Sequence, residues 1–162
     1  MTTNELLLKT LFCCSACDGE IAPEEVEFIK NVIAGNEIFA GLDIETSLNN
    51  YVEQINKEGQ NFLKRYLAEV ADATLSDNDQ IALVDIAIKM IEVDNQILYS
   101  EVKFFKKIRR RLSVSDESIL AALPQAEDYL LPDIIVDEKD DEWSNITFDN
   151  IILDGKQYKD GE

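Results

Sequence analysis

The chain has 162 residues, 46% of them hydrophobic, and its 33 acidic against 15 basic residues give a net charge of −18 and a pI near 4.2. That length fits one domain plus a tail, and so anionic a surface repels phosphate backbones, so no nucleic acid is expected as a partner. The complete lack of His removes Ser-His and Cys-His pairs, HExxH zinc sites and the Glu-x-x-His di-iron motif.

The first residues lack a basic region, and Lys9 interrupts the Leu6–Leu8 run before a signal-like stretch can form. No uncharged run approaches the roughly 18 residues of a membrane span. A soluble, cytoplasmic protein is expected. Apolar residues then recur at three-and-four spacing from 4 to 131, which predicts an all-α domain. Helices are expected at 4–16, 23–34, 44–57, 60–74, 78–92, 99–112 and 116–122, with a short turn at 125–131. Pro23 suits a first helical position with Glu24 and Glu25 behind it, and Ser76 and Ser115 precede acidic first turns as caps. Breaks are expected at 35–41, at Gly59 and at Pro124.

From 132 to 162 the helical period is lost. Residues 133–162 hold 10 acidic and 3 basic residues, net −7. The acidic run Asp137–Glu142 comes first, then Ile146–Leu153 and an Asp154-Gly155 turn signal, which reads as a short β-hairpin over 146–158.

Offset by 76 residues, the chain matches itself. Asp18-Gly19-Glu20-Ile21-Ala22-Pro23-Glu24-Glu25-Val26-Glu27-Phe28 faces Asp94-Asn95-Gln96-Ile97-Leu98-Tyr99-Ser100-Glu101-Val102-Lys103-Phe104, with Asp, Ile, Glu, Val and Phe in register. Upstream, Leu7, Leu8, Leu11 and Phe12 face Leu83, Val84, Ala87 and Ile88. The pattern reads as a duplicated helical hairpin.

The run Cys17-Asp18-Gly19-Glu20-Ile21-Ala22-Pro23-Glu24-Glu25 resembles the A-D-G-x-I-x-x-E-E signature of the TerB-like (tellurite-resistance) helical domain family. Leu112-Ser113-Val114-Ser115-Asp116-Glu117 resembles the L-G-L-S-D-E-E step that follows it there. The likeness covers residues 4 to 122. It implies an all-α bundle of duplicated hairpins, acidic loops that bind divalent cations, and a role with protein partners in stress-response or membrane-associated assemblies. It implies no reaction. The second loop departs from the signature at Asn95, Gln96 and Ser100, which weakens a second metal site.

Two readings fit the first loop. Asp18, Glu20, Glu24 and Glu25 offer the oxygen-rich, flexible set that calcium or magnesium wants, zinc less so; Asp94 and Glu101 are the weaker counterpart. Alternatively Glu25 and Glu101 cap their helices from the third position and Asp18 and Asp94 brace the turns. An EF-hand is excluded, because its first and third loop positions fall on Cys14 and Ala16.

Cys13, Cys14 and Cys17 lack a fourth ligand for zinc and form no secreted disulfide framework. The repeat register places Cys14 and Cys17, opposite Met90 and Val93, in the core, and Cys13, opposite Lys89, toward water. Lys103, Lys106, Lys107 and Arg110 share one helical face opposite Phe104, Ile108 and Leu112. That stripe is either a solvated face or a docking surface for an acidic partner or for the chain's own acidic tail. The resulting expectation is a non-enzymatic TerB-like module that binds a divalent cation, docks a protein partner, or both. A metal-free protein-interaction scaffold is the alternative, and carboxylate-only hydrolysis the remoter one, since no paired acid, base and nucleophile is in sight.

Overall fold

Local capping sets the helix starts. Thr2 accepts from the Glu5 amide while Glu5 accepts from that of Thr2, Ser76 accepts from Asp79 and Ser115 from Ser118. A computed structural model describes residues 2–35, 37–39, 41–93, 99–130, 148, 150 and 151, and among these there is no strand. In chain order the helices are α1 Thr3–Ala16, α2 Pro23–Ala34, α3 Ile44–Glu58, α4 Asn61–Asp72, α5 Asp77–Glu92, α6 Tyr99–Arg110, α7 Asp116–Ala122 and α8 Glu127–Leu130. Single 3-10 turns lie at Glu37–Phe39 and Pro124–Ala126. The all-α expectation holds, and the boundaries differ from the predicted ones by at most two residues. α3 and α4 are separated at Gly59, whose φ of 64° lies in the left-handed region that glycine enters without a Cβ clash. α4 stops before Ala73, which is extended, and the chain runs on to the Ser76 cap.

α1 is the axis of the bundle. Every residue from Leu6 to Cys17 is buried, the pattern of a helix enclosed on all sides. It packs most extensively on α5 and is also touched by α3, α4, α6 and the 37–39 turn. Enclosure forces its polar side chains to find partners. Thr10 Oγ1 donates to the Leu6 carbonyl at 2.8 Å and meets the Tyr66 hydroxyl at 2.6 Å, and Ser15 donates to Leu11 O at 2.9 Å. Phe12, Phe62 and Tyr51 form an aromatic cluster with ring centroids 5.6–6.1 Å apart.

Several positions paired by the 76-residue offset share their burial. Leu7, Leu8, Leu11 and Phe12 are buried as are Leu83, Val84, Ala87 and Ile88; Glu25 is buried as is Glu101, and Ile29 as is Phe105.

Two sequence expectations are corrected. Cys13 does not face water: its exposure is 0%, because α1 is covered on the side that its counterpart, with Lys89 54% exposed, leaves open on α5. The basic face of α6 is not a solvated stripe either. Lys103 and Lys107 are buried and Lys106 is half-buried, which leaves Arg110 as the exposed member. Asp94, the acidic run Asp137–Glu142 and most of the 146–158 hairpin lie outside the described residues.

Candidate functional site

The site grows from three residues of α3. Asn49, Val52 and Asn56 are spaced i, i+3 and i+7, which places them on one helical face. Asn is a poor residue for a helix interior, since its amide competes for backbone partners. Here both amides leave the helix and bind another stretch of main chain. Asn56 Nδ2 donates to the Phe148 carbonyl at 2.9 Å, and the Phe148 amide donates to Asn56 Oδ1 at 2.7 Å. Asn49 repeats the arrangement on Ile151, donating to its carbonyl at 2.9 Å and accepting from its amide at 2.6 Å.

The geometry explains the spacing. Seven residues of α-helix advance about 10.5 Å at 1.5 Å each, and three residues of extended chain cover about 9–10 Å. Two asparagines two turns apart therefore match backbone groups three residues apart. Each side-chain amide presents one donor and one acceptor, as a neighbouring β-strand would. The contact is to main chain and reads no side chain. Identity is read beside it: Phe148 and Ile151 are 7% and 2% exposed and belong to the hydrophobic core cluster, whereas Asn150 is exposed.

The other wall of this seat is the first acidic loop. A cleft of about 370 Å³ is bordered by Gly19, Glu20, Ile21, Pro23 and Val26 on one side and by Phe148 and Ile151 on the other. A second, open cleft of about 650 Å³ runs along α3, with Asp43, Glu45 and Glu53 around Asn49 and Asn56. The rim of the seat is thus carboxylate-rich.

In the first loop, Asp18 Oδ1 accepts from the Glu20 amide at 3.1 Å and braces the turn, and Gly19 has φ 93°. Glu25 accepts from the Ala22 amide at 2.8 Å, and Glu20 and Glu24 are exposed. Glu25 and Glu101 both act on Cys14, whose thiol is pushed up by its burial first and by their negative charge second. Glu25 and Glu101 thus both lie within electrostatic reach of Cys14 in α1. Among the described residues no group of three or more His, Cys, Asp or Glu side chains is arranged to hold a metal ion. Burial also pushes up the thiols of Cys13 and Cys17, which keeps all three as neutral core groups.

Sequence reasoning missed Asn49 and Asn56. The available signal was the pair of asparagines on one face of α3 flanking Val52, an unfavourable choice for a helix with no other use for them. Comparison of the chain with family models, curated proteins and solved structures yields no match. No helix among the described residues is long and apolar enough to cross a membrane.

Proposed function

We propose that this chain is a non-enzymatic, TerB-like interaction module whose α3 face docks an extended protein segment, and that residues around 148–151 occupy that face as its intramolecular ligand. The observation that carries the reading is the double amide clamp, in which Asn49 and Asn56 each exchange two hydrogen bonds with one residue of the segment. Extended peptides are recognised elsewhere by the same division of labour, main-chain hydrogen bonds for affinity and pockets for alternate side chains. The lack of His and the neutral, buried thiols support a binding rather than a catalytic role.

The family reading rests on the acidic-hairpin signature, and shared burial at several positions 76 apart supports it. A stress-response setting and a membrane-associated partner come from that resemblance alone. The divalent-cation reading of Asp18, Glu20, Glu24 and Glu25, with Asp94 and Glu101 as counterparts, likewise draws on the resemblance and on the density of carboxylates.

Amide hydrogen exchange tests the docking reading. Phe148 and Ile151 amides are expected to be protected in the full chain, and Asn49→Ala with Asn56→Ala is expected to speed their exchange at least about tenfold, the ratio that corresponds to 1.4 kcal/mol. Unprotected amides in the unmodified chain would end the reading.

A further inference from the structure

We infer that the α3 seat is built for a partner peptide carrying two large apolar residues three positions apart between Lys or Arg residues, and that the chain's own segment is a weaker, displaceable occupant of it. The inference rests on the docking reading above and adds the chemistry of the partner.

Three observations combine. The asparagine clamp grips backbone only, so any extended chain satisfies it. Phe148 and Ile151 are the buried anchors, and Asn150 faces out, so the requirement on side chains is an apolar pair at i and i+3. The rim bears Glu20, Asp43, Glu45 and Glu53, yet the resident segment carries Asp149 and Asp154 in a region of net charge −7. A segment of that composition shares the sign of the rim, and like charge is how interfaces disfavour a ligand.

Residues 131–147 join Leu130 to Phe148 in sequence, so the segment competes for the seat as part of the same molecule, at an effective concentration that a free peptide must exceed. A free peptide with identical contacts loses that competition. One with basic flanks gains attraction to the rim, and steering by opposite charge also raises its association rate.

The experiment uses the full chain and three synthetic peptides spanning residues 144–155: the native sequence, one with Asp149→Lys and Asp154→Lys, and one with Asp149→Asn and Asp154→Asn. Binding is read by fluorescence anisotropy against the unmodified chain and against a released chain, Phe148→Ala with Ile151→Ala. The lysine peptide is expected to bind the released chain at least about tenfold tighter than the native peptide at about 0.01 M salt, with the ratio collapsing toward about one at 1 M, where screening shortens to about 3 Å. Both peptides are expected to bind the unmodified chain more weakly. Should the released variant fail to fold, the full chain with Asp149→Lys and Asp154→Lys serves instead: its improved resident is expected to reduce lysine-peptide binding at least about fivefold relative to the unmodified chain. Equal affinity for all three peptides would overturn the basic-partner inference and leave the docking reading intact. Absence of binding by every peptide to a folded released chain would overturn both. A concentration-dependent dimer of the unmodified chain that disappears on Phe148→Ala with Ile151→Ala would make a second copy the occupant and overturn the inference.

Discussion

Lys9 and Glu69 form an ion pair of 2.7 Å between α1 and α4, with the lysine side chain 3% exposed and the carboxylate 30%. The ammonium also stands 4.8 Å from the centroid of the Phe62 ring, within reach of a cation–π attraction. The charge sits inside the bundle because α1 is enclosed on every side. Removing the partner strands it. Glu69→Gln is expected to destabilise folding by about 2–3 kcal/mol, below the 3–5 of a fully buried pair because Glu69 keeps some water contact. Lys9→Met is expected to cost less, since it removes the buried charge itself. Urea unfolding midpoints at constant slope check the ordering.

Gln80 ties α5 to the turn between α6 and α7. Its Oε1 accepts from the Ser113 and Val114 amides at 2.9 Å each, and its Nε2 donates to Leu75 O at 3.2 Å and Ser113 Oγ at 3.1 Å. Gln80→Leu keeps the volume but leaves two amides without their acceptor, so a loss of about 2–3 kcal/mol is expected. Denaturant titration measures it.

Three buried thiols make the chain sensitive to base. Their ordinary value is 9.0 and burial raises each one in the folded state. The folded chain thus holds protons that the unfolded chain releases, so the stabilisation is complete below pH 9 and is lost as pH rises toward the folded values. Each thiol contributes about 1.4 kcal/mol per pH unit above 9, and three contribute roughly 4. Tyr51, pushed up to about 12 chiefly by burial, adds to the slope between pH 10 and 12. With no His in the chain, melting temperature is expected to stay flat from about pH 6 to 8. Replacing the three cysteines with alanine is expected to remove the first part of the decline; a slope unchanged by that replacement would refute the assignment.

The same burial governs reactivity. No thiol is expected to react rapidly with Ellman's reagent in the native chain, and three are expected to react in denaturant. One fast native thiol would mean that α1 is open beside Cys13.

Calcium and magnesium titrations separate capping from ion binding at the first loop. Because Glu25 already caps α2 and Asp18 braces its turn, millimolar ions are expected to leave the melting temperature unchanged, whereas Glu25→Ala is expected to cost about 1 kcal/mol. Stabilisation approaching about 2.7 kcal/mol at a hundredfold excess over a dissociation constant would establish the cation reading.

Much of this molecule is local and was legible in the residues. The three-and-four period, Pro23, Ser76, Ser115 and Gly59 each act within one or two turns, and they set helix type and boundaries without reference to the rest of the chain. The repeat register likewise paired Glu25 with Glu101, and both are buried. Tertiary packing decided the remainder, because burial depends on what covers a face and not on the residue that bears it. Cys13 and Lys89 occupy equivalent positions, yet α1 is surrounded and α5 is open on that side, so one is in the core and the other in water. Lys103 and Lys107 read as surface charge, yet both are buried in the packed bundle. Asn49 and Asn56 read as weak helix residues until a stretch of chain some hundred positions away meets them at a spacing that only the pitch of α3 could supply.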